Sequence, residues 1–145
     1  MANTAWAFAK VGGCDGHLFK ALAHSVLAKT DYCTPKDTAN TAWGFAKAGI
    51  DDDELFQALA RAGVAKIRGL NEQSLANTAW AFAKVGRFDA HLFQALAHAV
   101  LSKIDDFTPQ DTANTTWAFA KAGIDDAELF QALARATIAK ISGFN

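Results

Sequence analysis

Between residues 34 and 47 the small and apolar positions Ala39, Ala42, Trp43 and Ala46 fall at i, i+3, i+4 and i+7. That spacing lines four side chains along one stripe of an α-helix and predicts that the stripe is buried, with Phe45 at its side widening it. A second kind of run, from near Asp15 to Lys29, places Leu18, Phe19, Leu22 and Val26 on an inward face and His17, Lys20 and His24 on an outward one. The helices have readable ends. Thr34-Pro35-Lys36-Asp37 and Thr108-Pro109-Gln110-Asp111 combine a capping hydroxyl, a proline suited to the first helical position and an acid that completes a capping box, while Asn71 takes the capping role before Glu72-Gln73-Ser74. Gly12, Gly49, Gly86 and Gly123 stand where a left-handed residue stops the first helix. Asp15, Asp52, Asp89 and Asp126 then cap a second helix that runs to Lys29, Lys66, Lys103 and Lys140, cations suited to a helix C-terminus.

The pattern recurs. Trp6, Trp43, Trp80 and Trp117 are 37 residues apart inside the phrases ANTAWAFAKVG, ANTAWGFAKAG, ANTAWAFAKVG and ANTTWAFAKAG, and Phe8, Phe45, Phe82, Phe119 and Phe19, Phe56, Phe93, Phe130 recur in register. A fixed period of this size means stacked helix pairs that bury their faces only against neighbours. A longer period of 74 distinguishes odd repeats ("HLF.ALAH") from even ones ("GIDD.ELFQALAR"), as a duplicated two-repeat unit would. The expected fold is therefore all-α: a two-layer right-handed α-solenoid in one domain, with repeats at about 1–33, 34–70, 71–107 and 108–144.

Composition narrows the function. Half of the 145 residues are hydrophobic and a fifth are charged, which fits a packed chain. The net charge of −1 lacks the basic excess of a protein that binds nucleic acid by charge alone, although a local basic stripe is compatible with it. No apolar run is long enough to span a membrane, and no targeting signal precedes the first repeat. Nothing assembles a nucleophile with a base, and neither a phosphate loop nor a dinucleotide fingerprint is present, so the chain reads as a non-enzyme without a cofactor.

At FTPQDTANTTWAFAKAGIDDAELFQALA, residues 107–134, the chain resembles the octotricopeptide and heptatricopeptide repeats, and its 37-residue period is that of the heptatricopeptide variety. The resemblance covers all four repeats. It implies a helical solenoid of the kind found in organellar RNA-associated proteins of algae and alveolates, with RNA binding, RNA processing or organellar complex assembly as the activity and a chloroplast or mitochondrion as the compartment. Such proteins are usually much longer, and many carry a C-terminal domain that this chain does not contain.

Two polar constellations are candidates for function. On the first helices, Asn3, Asn40, Asn77 and Asn114 recur with Lys10, Lys47, Lys84 and Lys121 seven residues later on the same side, and Thr4, Thr41, Thr78 and Thr115 lie beside them. Stacking would space these groups by about 10 Å. That arrangement suits single-stranded RNA, with lysine on phosphates and asparagine on base edges. The plainer alternative has asparagine bonding the neighbouring helix and lysine favouring the helix dipole. Because the columns do not vary, an RNA reader built this way would have weak selectivity. On the second helices one column reads His17, Glu54, His91, Glu128 and the next His24, Arg61, His98, Arg135. These form either a pH-sensitive ladder or an ordinary solvated face.

Metal binding is not expected, since the histidines are seven apart and not at the i+4 spacing of a helical zinc site. Cys14 and Cys33 flank one helix, roughly 20 Å apart, too far for a disulfide. The run Asp51-Asp52-Asp53-Glu54 reads as helix capping. Met1 aligns with Leu75 and Asn145 with Asn71, so both outer faces are expected to expose Ala, Trp, Phe or Leu. They would pack on further repeats, on a larger assembly or head to tail on a second copy. The family resemblance and the Asn/Lys columns favour RNA. The neutral charge and outer faces favour protein contact, as in a small subunit of an organellar ribosome or photosynthetic supercomplex.

Overall fold

The computed structural model describes residues 2–11 and 16–142, which form eight α-helices and no strand. The chain is all-α. The helices are α1 (Ala2–Lys10), α2 (Gly16–Ala28), α3 (Pro35–Lys47), α4 (Asp53–Ala65), α5 (Glu72–Lys84), α6 (Ala90–Lys103), α7 (Pro109–Lys121) and α8 (Ala127–Ser142). The expected Gly12 stop and Asp15 cap lie outside the described residues, as do Met1, Cys14, Phe144 and Asn145.

Capping chemistry sets the helix starts. Thr34 Oγ1 accepts from the Asp37 amide at 3.0 Å while the Thr34 amide donates to Asp37 Oδ2 at 3.1 Å, and Thr108 with Asp111 repeats the box at 3.1 and 3.2 Å. Asn71 accepts from the Ser74 amide at 2.8 Å. Asp52, Asp89 and Asp126 accept from Leu55, Leu92 and Leu129 at 2.9–3.0 Å. The first helices stop at Gly49, Gly86 and Gly123, whose φ of +71 to +77° only glycine adopts without strain. Around Gly49, the Gly49 amide donates to Ala46 O and the Ile50 amide to Phe45 O, the paired bonds of a Schellman stop.

The first helices pack side by side in chain order, α1 on α3, α3 on α5 and α5 on α7, while the second helices pack on their own first helices and on one another, in both cases far more loosely than the first helices pack together. Small residues permit the close first-helix packing. A Cβ on Gly44 would lie 2.9 Å from the Ala5 carbonyl carbon, and Ala42, Ala79, Ala81 and Ala118 are fully buried. Between the rows, a phenylalanine of each second helix meets one of the following first helix edge-on: Phe19 with Phe45, Phe56 with Phe82 and Phe93 with Phe119, at centroid separations of 5.1–5.3 Å. These six rings are at most 1% exposed. Each such pair contributes ~0.5–1.5 kcal/mol beyond the burial of its area.

The second helices hand over to short 3-10 turns, Thr30–Tyr32, Ile67–Gly69 and Ile104–Asp106, which the sequence pattern did not foretell. These turns change the reading of the lysines at the second-helix ends. Lys66 donates to the carbonyls of Thr30 (3.0 Å) and Cys33, and Lys103 donates to Leu70, so each ties its helix to the preceding turn. Lys140 approaches Asp105 O at 3.5 Å.

Candidate functional site

The two flanked first helices, α3 and α5, show which side chains the packing leaves available. Beyond the first turn of α3 every residue is buried except Asn40, Trp43 and Lys47, and beyond the first turn of α5 every residue is buried except Asn77, Trp80 and Lys84. The geometry explains this. Neighbouring first helices cover two flanks and the second helices cover the back. A sector of roughly 60° stays open, and at about 100° per residue positions i, i+3 and i+7 fall inside it.

Tryptophan is the main correction to the sequence pattern, which placed Trp43 in the buried stripe with Ala39, Ala42 and Ala46. The alanines are buried, but Trp43 and Trp80 are half-buried, and Trp6 and Trp117 are 37% and 41% exposed. The indole sits at the edge of the stripe, next to asparagine and lysine, and is too large to enter gaps sized for alanine. The four rings form one continuous ladder, with centroids 6.0, 6.2 and 6.4 Å apart and planes tilted by 33–36°. Lys10 lies over Trp6 at 4.7 Å and Lys121 over Trp117 at 5.0 Å, placing cations on the ladder at both ends. The signal was present in the sequence as the seven-residue Asn-to-Lys span with Trp between them.

Of the predicted residues, Asn40, Asn77 and Asn114 are half-buried and Asn3 is exposed, and Lys10, Lys47, Lys84 and Lys121 are exposed beside them. Among the described residues no hydrogen bond holds the side-chain amides of the half-buried Asn40, Asn77 and Asn114. The threonines do not join them. Thr41 and Thr78 turn inward and donate to the carbonyls of Asp37 and Ser74 at 2.7 Å, while Thr115, also buried, has no partner for its hydroxyl. On the second helices His17, Glu54, His91, Glu128, His24, Arg61, His98 and Arg135 are all exposed, and no ion pair joins Glu54 or Glu128 to His91.

Asp51 and Asp53 do more than cap. Both pair with Arg87, Asp53 at 2.7 Å, and the guanidinium also lies 5.8 Å from the Phe56 ring. The two carboxylates hold Arg87 above its ordinary pKa against the opposing effect of partial burial. Arg87 replaces the isoleucine found at Ile50 and Ile124, so among the described residues this clasp exists at one junction. Among the described residues no cluster of potential metal ligands occurs, and no helix is long and apolar enough to cross a membrane.

The family model described as RNA-editing substrate-binding complex 6 protein matches residues 1–102. No curated protein matches the chain. The matched span takes in three of the four Asn/Trp/Lys rows. It agrees with the octotricopeptide and heptatricopeptide resemblance at the level of an RNA-associated helical family, and differs from it in the family itself. With more than half its length matched, this chain belongs to the RNA-editing substrate-binding complex 6 protein family.

Proposed function

We propose that the chain is a non-catalytic binding module that holds single-stranded RNA along the open ridge of its first helices, within an organellar RNA-processing assembly. In this reading the molecule is a two-layer right-handed α-solenoid of four repeats, 1–33, 34–70, 71–107 and 108–144. The observation that carries the proposal is the narrow open sector of α3 and α5, which leaves only asparagine, tryptophan and lysine available beyond the first turn, in register. Lysine supplies phosphate contacts, the amide supplies hydrogen bonds to base edges, and the indole ladder supplies a flat π surface. The family's description, naming an RNA-editing substrate-binding complex, supports the same reading. Since each row repeats the same residues, the module holds RNA with little base selectivity and leaves sequence choice to its partners.

The test is binding of labelled single-stranded homopolymers across a salt series, with Lys10, Lys47, Lys84 and Lys121 changed together to alanine as the comparison. Micromolar or tighter affinity is expected, on the order of non-specific nucleic-acid binding. Its salt slope should fall by about 0.7 for each phosphate-contacting lysine removed. A folded protein that binds no homopolymer at low salt would transfer the assignment to the second reading, a protein-interaction scaffold in a larger organellar complex. The near-neutral charge favours that reading.

A further inference from the structure

Two internal junctions that the repeat makes equivalent are finished with opposite chemistry. Between the second and third helix pairs Arg87 spans the groove: its guanidinium holds Asp51 and Asp53 and lies 5.8 Å from the Phe56 ring. The space left there measures about 330 Å³. Moving 37 residues along the chain, Asp51 becomes Phe88, Asp53 becomes Ala90 and Arg87 becomes Ile124, while Phe56 remains a phenylalanine, Phe93. All three members of the clasp are lost together, and isoleucine is too short to span the groove as the arginine does. What remains is an open cavity of about 620 Å³ between α6, the start of α8 and the turn after α7. Phe88, Phe93, Ala97 and Ile124 form its apolar wall. Phe93 is sealed, but Phe88, with its ring 6.3 Å away, keeps 44% of its own surface in water. Asp126 and Glu128 border the same cavity, and among the described residues neither takes part in an ion pair. None of the bordering residues belongs to the Asn/Trp/Lys rows.

We propose that this groove is a docking site for a basic peptide segment of a partner protein, which inserts an arginine beside an apolar residue. The occupant follows from what the protein itself does one junction earlier. There the groove is filled by an arginine of the same chain, beside one phenylalanine ring and two carboxylates. The later groove keeps the ring in Phe93 and has two carboxylates at its border in Asp126 and Glu128, but it has no cation of its own. An arginine supplies that charge and stacks its planar head on an aromatic face, and the apolar neighbour covers Phe88. RNA does not suit the groove, because carboxylates at its border repel phosphate. A further repeat stacked on α7 and α8 would not cover it either. No residue of 108–144 borders the equivalent groove at Arg87, although that repeat stands beyond it in the stack. The inference is therefore independent of RNA binding by the first-helix ridge.

The experiment is an amide NMR titration of the isotope-labelled chain without RNA, with a blocked Leu-Arg-Phe peptide as the probe and blocked Leu-Glu-Phe as its control. Saturable shifts should map to the amides around Phe88, Ala97, Ile124 and Glu128, with a dissociation constant of about 1 mM or tighter. The glutamate peptide should give none. A variant carrying Phe88→Asp, Ala90→Asp and Ile124→Arg together grafts the clasp of the preceding junction into the groove. It should keep its helicity by circular dichroism and lose the shifts. Glu128→Lys, a change at an exposed position that leaves the apolar wall intact, should weaken the probe roughly tenfold. Added poly(U) should leave the probe's affinity unchanged. Absence of saturable shifts would overturn the proposal, as would equal shifts with the glutamate peptide or shifts confined to the Asn/Trp/Lys ridge. Undiminished binding by Glu128→Lys, or by a folded clasp-grafted variant, would equally sink it, and so would competition by poly(U).

Discussion

The Lys66 ammonium donates to the main-chain carbonyl of Thr30, thirty-six residues earlier and one helix pair back. A half-buried cation thereby satisfies the carbonyls of a 3-10 turn that would otherwise rely on water, and the second-helix row, which packs far more loosely than the first-helix row, is tied together. Lys103 does the same for Leu70.

Replacing Lys66 by methionine keeps most of the aliphatic stem and removes the donors. Hydrogen bonds to charged groups contribute ~1.5–3 kcal/mol, so Lys66→Met should lower unfolding stability by about 2 kcal/mol in urea titration. The equivalent Lys29→Met, at an exposed lysine, should change it by less than ~0.5 kcal/mol. Equal effects at the two sites would show that the loss comes from helix-end charge and not from the clamp.

Phe82 and Phe8 are the same residue in the same phrase, separated only by what lies against them. Phe82→Leu removes an edge-to-face partner of Phe56 inside a sealed junction and should cost ~1–2 kcal/mol. Phe8→Leu should stay within ~0.5 kcal/mol. Denaturant midpoints of the two variants check this directly.

The indole ladder has a spectroscopic consequence. Iodide should quench the emission of Trp6 and Trp117 more strongly than that of Trp43 and Trp80. Four variants that each retain a single tryptophan, with the other three changed to phenylalanine, separate the contributions. If single-stranded RNA binds the ridge, saturating homopolymer should protect Trp43 and Trp80 from the quenching that remains. Removing either indole should then weaken binding by ~1–3 kcal/mol, the range for a stacked base.

Burial, and then the Asp37 carboxylate, push the Cys33 thiol above its ordinary pKa, while Lys66 opposes them less strongly. On a Cys14→Ser background, alkylation by iodoacetamide should therefore be slow at pH 8 and rise only above the range where a free thiol responds. The sign for stability follows. The raised folded-state value means that the unfolded chain gives up its proton first. The contribution of Cys33 is thus complete below the ordinary thiol pKa and is lost as pH climbs through the folded one. Cys33→Ala should remove that alkaline decline from the stability profile.

Local rules carried much of the architecture. The Thr34 and Thr108 boxes, the Asn71 cap, the aspartate caps and the left-handed Gly49, Gly86 and Gly123 were all legible, because each depends on atoms within a few residues. The asparagine and lysine columns were legible too, since the helical period alone places Asn40 and Lys47 on one line. What the pattern misassigned was Trp43, because hydrophobicity says that a side chain leaves water where it can but not whether a space of its size exists.

The sequence by itself determined which segments are helical, where they stop and which polar residues recur in register, for these follow from backbone hydrogen bonding and the 3.6-residue turn. Only the tertiary structure decided that tryptophan joins asparagine and lysine on the open ridge, that Lys66 and Lys103 clamp the turn behind them, and that Arg87 gathers Asp51 and Asp53. Those outcomes depend on which neighbour stands against each face, at distances of thirty-three to thirty-seven residues along the chain, where no local pattern records the size of the space or the direction of the approaching group.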